Sequence, residues 1–190
     1  MSIKEISPTY RIPELLRDLL LIDMLELSGS TLAAAQLLNL SQPTVSRRYR
    51  AVAEELGLIR SSSQEPGRRF GDSDCLRLLR KVANLHRWQS GVLRVGINHE
   101  KGPDLPVLHW IQWVELSSTP RNHWGTLFRH ELLDAVAFAD GEQIDDCLHA
   151  IKLNTCTTVI ADFQLLYRRH PRIERLIQHH QRCQPIGSLL

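Results

Sequence analysis

The chain has 190 residues, 43% of them hydrophobic, with 23 Lys and Arg against 21 Asp and Glu. That length and apolar content allow one large or two small globular domains, so a disordered chain is not the expectation. The formal charge of +2 is too small to announce nucleic-acid binding. The balance is uneven, however: residues 1–90 hold thirteen basic and ten acidic residues and the remainder ten and eleven, so only the first half suits a polyanion.

Leu15, Leu16, Leu19, Leu20, Ile22, Leu25 and Leu27 predict a first helix. Arg17, Asp18, Asp23 and Glu26 interrupt the run, which makes it an amphipathic support helix rather than a membrane span. Ser28-Gly29-Ser30 breaks it, and Leu32 to Leu38 form a short second helix in which Ala34 and Ala35 let a neighbour approach closely. Asn39-Leu40-Ser41 is the turn into a third helix. In that helix Val45, Tyr49, Val52 and Leu56 recur at i, i+4, i+7 and i+11, a single buried stripe. Arg47 points away from the stripe, Pro43, Thr44 and Arg50 fall on the same outward half, and Gln42 and Ser46 sit on its edge. Ser41 is a suitable N-cap, and Pro43 is tolerated in a first turn. A polar, basic outer face on the first turns of such a helix is what a DNA groove requires.

Gly29-Ser30, Ala34-Ala35, Leu38, Ser41-Gln42-Pro43-Thr44-Val45-Ser46-Arg47 and Glu55-Leu56-Gly57 stand in one register. In that register the chain resembles the LysR-type bacterial transcription regulators. An ordered set over about thirty residues is far more specific than a generic helix-turn-helix pattern. The resemblance implies a winged helix-turn-helix over residues 1–72, with the wing a hairpin between Arg60 and Phe70. Leu58-Ile59-Arg60-Ser61-Ser62 departs from the family's usual continuation, while Pro66-Gly67 is a turn with Arg68 and Arg69 beside it, placed to touch phosphates.

From Ser73 to Trp88 the sequence predicts a linker helix with Leu78, Val82 and Leu85 on one face and Leu79, Ala83 and His86 beside it. That is more apolar surface than a connector needs. The resemblance implies pairing with the same helix of a second subunit, the alternative being packing onto the chain's own first helix. Val92 to Ile97 is a β-branched strand similar to the opening of the family's regulatory domain, and Leu132 to Phe138 resembles a later strand of it. Between them the sequence predicts a helical stub around Leu105 to Trp110, a strand at Trp113 to Leu116 and a helix near His123 to His130. Glu142 to Lys152 reads as helical, Thr155 to Ala161 as a buried strand, and Asp162 to His180 as mainly helical. The expectation is α+β overall: a winged helix-turn-helix, a long linker helix over 73–90, and a small α/β domain over 91–190 with some parallel strands. About fifty residues follow the Phe138 strand, so the family's usual two-lobed effector cleft, and with it a small-molecule effector, is not expected.

Four scattered cysteines, Cys75, Cys147, Cys156 and Cys183, form no CxxC pair, and no secretory leader is recognised, so a reducing cytoplasm is the expected compartment. Nine histidines invite a metal reading at His179-His180, Cys147-x-His149 and His99 beside Glu100. None has zinc-site spacing, and no metal or other cofactor is expected. Asp145 and Asp146, adjacent in a helix, do not converge. No GxGxxG, GxxxxGK[ST] or GxSxG occurs, and no enzymatic activity is expected. Trp110, Trp113 and Trp124 could line a ligand site, although core packing is the commoner use.

The residues therefore predict a DNA-binding regulator, with double-stranded DNA as partner, no membrane, and a homodimer or higher oligomer joined through Leu78, Val82 and Leu85. Gln42, Pro43, Thr44, Ser46, Arg47, Arg48, Arg50, Arg68 and Arg69 are the candidate DNA contacts. Gln42, Thr44, Ser46 and Arg47 face base edges and adjacent phosphates, whereas Arg48, Arg68 and Arg69 mainly position the protein on the backbone. The alternative is an interaction module that forms mixed dimers or recruits a partner through its C-terminal domain.

Overall fold

A computed structural model describes residues 11, 13–61, 65–97, 108–116, 119–139, 155–160 and 163–183. Within them are helices α1 (Arg17–Ser28), α2 (Thr31–Leu38), α3 (Gln42–Glu55), α4 (Asp74–Gln89), α5 (Trp124–Arg129) and α6 (Pro171–Cys183). The strands are β1 (Leu93–Ile97), β2 (Ile111–Glu115), β3 (Ala135–Ala139), β4 (Thr155–Ile160) and β5 (Phe163–Arg168), in one sheet of order β2-β1-β3-β5-β4. β1 runs parallel to β2 and β3, and β5 lies antiparallel between β3 and β4. The architecture is α+β.

Alternation along the strands decides what covers each face of the sheet. Ala135 and Ala137 of β3, with Leu93, Val95 and Ile97 of β1, face a cluster closed by Trp88 and by Ile173 and Ile177 of α6. Val136 and Phe138, one residue out of phase, face the opposite cluster, which contains Leu21, Met24, Leu25 and Leu27 of α1, Ala34 and Ala35 of α2, and Val45 and Tyr49 of α3. The helical N-terminal region and the sheet thus share one apolar core across residues 72 and 90, where the sequence suggests domain boundaries. A third cluster joins Leu19 and Ile22 of α1 to Val52 of α3 and to Leu76 and Ala83 of α4.

Two expectations are corrected. Leu19 and every residue from Leu21 to Leu27 are buried, Asp23 and Glu26 included, so α1 is a central helix and not an amphipathic support. Its carboxylates are tolerated because they are matched. Asp23 accepts from Arg80 Nε of α4 at 2.8 Å and from Arg94 Nη1 of β1 at 2.9 Å. The second correction is at 163–168, expected to be helical and found as a central strand. Phe163 and Leu165 point to the α6 side and Leu166 to the α1 side, a two-residue alternation that a helix cannot supply. The helix begins only at Pro171, a residue that suits a first turn. The stub expected near Leu105 and the helix expected over 142–152 lie outside the described residues, apart from 108–110, where 109–110 form a turn.

A second buried ion group ties α4 to the sheet. Asp134, fully buried at the entry to β3, accepts from Arg87 at 2.7 Å, from Arg168 at 3.1 Å and from the Arg94 backbone N–H at 2.8 Å. Burial alone favours the neutral acid, but the Arg87 and Arg168 guanidiniums and the Arg94 N–H win and hold the Asp134 pKa at about 2, against an ordinary 3.8. A lowered carboxyl pKa contributes stability that is complete above the ordinary value and is lost as the pH falls towards the folded value. Asp134→Asn is expected to destabilise the protein by about 3 kcal/mol at pH 7, because Arg87 stays buried without its counter-charge. About 2 kcal/mol of that difference is expected to disappear between pH 4 and pH 2. Urea unfolding of both proteins across this range checks it; a gap that persists unchanged at pH 2 contradicts the assignment.

Candidate nucleic-acid interface

The α2–turn–α3 unit is set by short local contacts. Gly29 ends α1 in the left-handed conformation at φ 73, and Ser30 caps α2 by accepting from the Ala33 N–H at 3.1 Å. Asn39 ends α2 at φ 52, another left-handed position that Asn tolerates. Ser41 caps α3 as expected, its Oγ accepting from the Thr44 N–H at 3.3 Å and lying 2.8 Å from the Thr44 hydroxyl. Gln42 Nε2 donates to the Thr31 hydroxyl at 3.1 Å, which pins the start of α3 to the start of α2.

Val45, Tyr49 and Val52 are buried as the helical spacing predicts, and Leu56 is half-buried at the end of the stripe. Tyr49 donates from its hydroxyl to the Phe70 carbonyl at 3.0 Å and packs edge-on against the Phe70 ring. The opposite face is open: Gln42, Pro43, Arg47 and Arg50 are exposed, and Thr44 and Ser46 are partly so. Arg48 differs from its neighbours. Its Nε donates to Asp18 of α1 at 3.0 Å and a terminal nitrogen pairs with the same carboxylate. Arg48 thus helps set the angle between α1 and α3, and Asp18 shares its charge.

The expected wing residues divide. Residues 62–64 lie outside the described set, and 65–70 form a compact run of turns with no strand. Arg68 is exposed, 3.6 Å from Glu65 and 3.9 Å from Asp72. Arg69 is instead half-buried, its guanidinium against Gly29, where an added Cβ would come within 2.2 Å of Nη1. Burial lowers the Arg69 pKa while Glu26 raises it. Arg68 therefore stands on the surface as expected, and Arg69 is turned into the protein.

What sequence reading missed here is Glu26. Its fully buried carboxylate accepts from the backbone N–H groups of Gly67 at 2.7 Å, Arg69 at 3.2 Å and Phe70 at 2.7 Å. Burial raises its pKa, and the Phe70, Gly67 and Arg69 N–H groups together with Arg80 oppose that rise. Gly67, at φ 93, has no room for a side chain, because an added Cβ would lie 2.4 Å from the His130 ring. Thr126 Oγ1 of α5 donates to Glu65 at 3.0 Å. The 65–70 turn is thus clamped between α1 and α5. A glutamate inside an apolar run was the only signal available, and it resembles a solvated helix position.

On α4 the expected apolar face is on the surface: Leu78 is 62% exposed, Val82 54% and Leu85 38%. The other side of the same helix packs inward through Leu76, Arg80, Ala83, Asn84 and Arg87, so α4 packs within the chain and leaves its apolar face exposed. Among the described residues no group of His, Cys, Asp and Glu could hold a metal ion, and no helix is long and apolar enough to cross a membrane. Trp124 is core, in contact with Phe138 and donating to the Thr119 carbonyl at 3.2 Å.

No protein-family model matches the sequence, and no curated protein matches it. Among solved structures the chain is similar to full-length OxyR C199D from Pseudomonas aeruginosa, at 19% identity over 78% of this chain and 55% of that one, with a TM-score of 0.37. It is similar to CrgA from Neisseria meningitidis, described as a LysR-type transcriptional regulator, at 19% identity over 74% of this chain and 51% of that one, with a TM-score of 0.30. ArgP from Mycobacterium tuberculosis shares 15% identity over 67% of this chain and 49% of that one, with a TM-score of 0.33. The chain spans about half the length of these structures.

Glu26→Gln places an amide NH2 where one carboxylate oxygen accepts, facing at least one backbone N–H donor in a dry site. A loss of about 1–3 kcal/mol of stability is expected from the unsatisfied donors. Chemical denaturation at neutral pH measures it, and a variant as stable as the parent would show that the 65–70 turn does not depend on this carboxylate.

Proposed function

We propose that this chain is a sequence-specific, DNA-binding transcription regulator of LysR-like type. The observation that carries the reading is the α3 face: Gln42, Pro43, Arg47 and Arg50 open to solvent on the first turns of a capped helix, inside the Gly29–Gly57 register. Arg47 and Gln42 have the donor geometry to read purine edges in a major groove, with Thr44 and Ser46 beside them on bases or adjacent phosphates. Arg50 and Arg68 are placed for the phosphate backbone. Arg48 and Arg69 contribute indirectly, one by fixing the helix angle through Asp18 and the other by packing beneath the turn at Gly29.

The apolar stripe of α4 supplies the second half of the reading. Leu78, Val82 and Leu85 would join two copies into a homodimer, and two linked reading heads bind a duplex with an effective concentration that one lacks. The proposal includes a cytoplasmic location, no membrane partner, no enzymatic role and no bound cofactor. Effector sensing through a two-lobed cleft does not form part of it.

Arg47→Ala is expected to leave thermal stability unchanged while weakening operator binding by about 1–3 kcal/mol per reading head. Gel-shift titration at fixed salt on a site selected from random DNA is the check, and an unchanged affinity would remove Arg47 from the interface. Val82→Glu with Leu85→Glu is expected to yield a folded monomer with weaker DNA binding. Light scattering at micromolar concentration reads the assembly, and a monomeric parent protein would overturn the dimer.

A further inference from the structure

The exposed face of α6 has no role in the reading above. At 100° per residue, Arg172, Arg175, His179 and Arg182 project within about 80° of one another. They make one stripe about 15 Å long at 1.5 Å per residue. Arg175, His179 and Arg182 are exposed and Arg172 is partly so. Glu174, the one acid of the helix, lies on the flank of the stripe. Among the described residues none of these three arginines is in an ion pair, and Arg175 Nε donates to the Pro171 carbonyl at 3.1 Å.

Beside the stripe lies an open cleft of about 610 Å³, lined by Leu108, His109, Trp110, Leu176, His179, His180 and the Ser90–Gly91 turn. His179 belongs to both features, and Leu176 projects next to Arg172. The surface is therefore half apolar and half cationic along a single helix, with the two halves touching.

From this we infer that α6 and its cleft dock an acidic, amphipathic polypeptide segment of a partner protein, its apolar side chains in the cleft and its carboxylates along the arginines. Two observations disfavour nucleic acid at this place. The Trp110 ring is 8% exposed and its face is covered by His180, stacked at 4.4 Å and 5°, so it offers no platform on which a base could stack. The stripe also lies on the α6 side of the sheet, opposite the side on which α1, α2 and α3 pack, so a duplex held by α3 does not reach it. A helix laid in a groove, with charge complementarity along its rim, is the recognition mode that fits.

The test uses the full chain and a fluorescein-labelled peptide of about twelve residues carrying Glu on one helical face and Leu and Phe on the other. Binding is read by anisotropy at ~0.15 M salt. The peptide is expected to bind the parent protein, and Arg175→Glu with Arg182→Glu is expected to weaken it at least tenfold with unchanged circular dichroism. A control peptide with Ser at the Leu and Phe positions is expected to bind at least fivefold more weakly than the amphipathic one. Equal binding of the two peptides, no binding at about 100 μM, or tighter binding of a thymidine oligonucleotide that the same substitutions abolish would each overturn the inference. The peptide measurement does not depend on α3 being a reading helix. Failure of the α3 reading shows instead in the Arg47→Ala titration, and the double substitution on α6 is expected to leave that operator affinity as it was.

Discussion

The carboxylate of Asp23 joins three elements that are far apart in sequence. It lies in the middle of α1, takes one hydrogen bond from Arg80 of α4 and another from Arg94 of β1, and has almost no contact with solvent. Arg94 goes on to donate to the Leu132 carbonyl at 3.3 Å, and its backbone N–H reaches Asp134, which gathers Arg87 and Arg168. Of three buried carboxylates, Asp23 and Asp134 thus pair with Arg80, Arg94, Arg87 and Arg168, and Glu26 is held by the 67–70 backbone N–H groups. Such pairs add little net stability over apolar packing of the same volume, because desolvating the ions offsets most of their attraction. Removing one partner is costly, since it strands the other charge. The matched set therefore favours one orientation of the helical region on the sheet, whereas the apolar contacts around it would tolerate several.

This arrangement leaves the outer face of α3 free. α1 is buried on all sides from Leu21 to Leu27, so α2 and α3 are carried on a packed base, and the Ser41 cap, the Gln42–Thr31 bond and the Arg48–Asp18 pair fix the start of α3 against it. The turn at 65–70 is held with equal care. Glu26 binds it from below with three backbone hydrogen bonds and His130 closes over Gly67. A surface built on such a base loses little conformational entropy when it binds a partner.

Two further outward surfaces among the described residues, the α4 stripe and the α6 stripe, differ in character. Leu78, Val82 and Leu85 form an exposed apolar stripe, whereas α6 sets arginines beside an open cleft. With the α3 face they make three separate exposed surfaces among the described residues.

Local sequence determined the helix-turn-helix. The cap at Ser41, the Val45–Tyr49–Val52 stripe, the apolar Leu78–Val82–Leu85 face and the strands β1, β3 and β4 depend on residues close together in the chain, so periodicity and turn chemistry revealed them, although β4, expected to be buried, is an edge strand with Val159 64% exposed. Tertiary structure alone decided the rest. Asp23 and Glu26 read as solvated positions because the groups that neutralise them come from Arg80, Arg94 and the 67–70 backbone, more than forty residues away. Arg69 read as a surface contact because nothing nearby in sequence marks the packing against Gly29. The strand at 163–168 read as helix because its alternation emerges only once β3 and β4 flank it. A buried charge, or a strand in mid-sheet, is defined by its partners, and the sequence around it does not say where those partners will be.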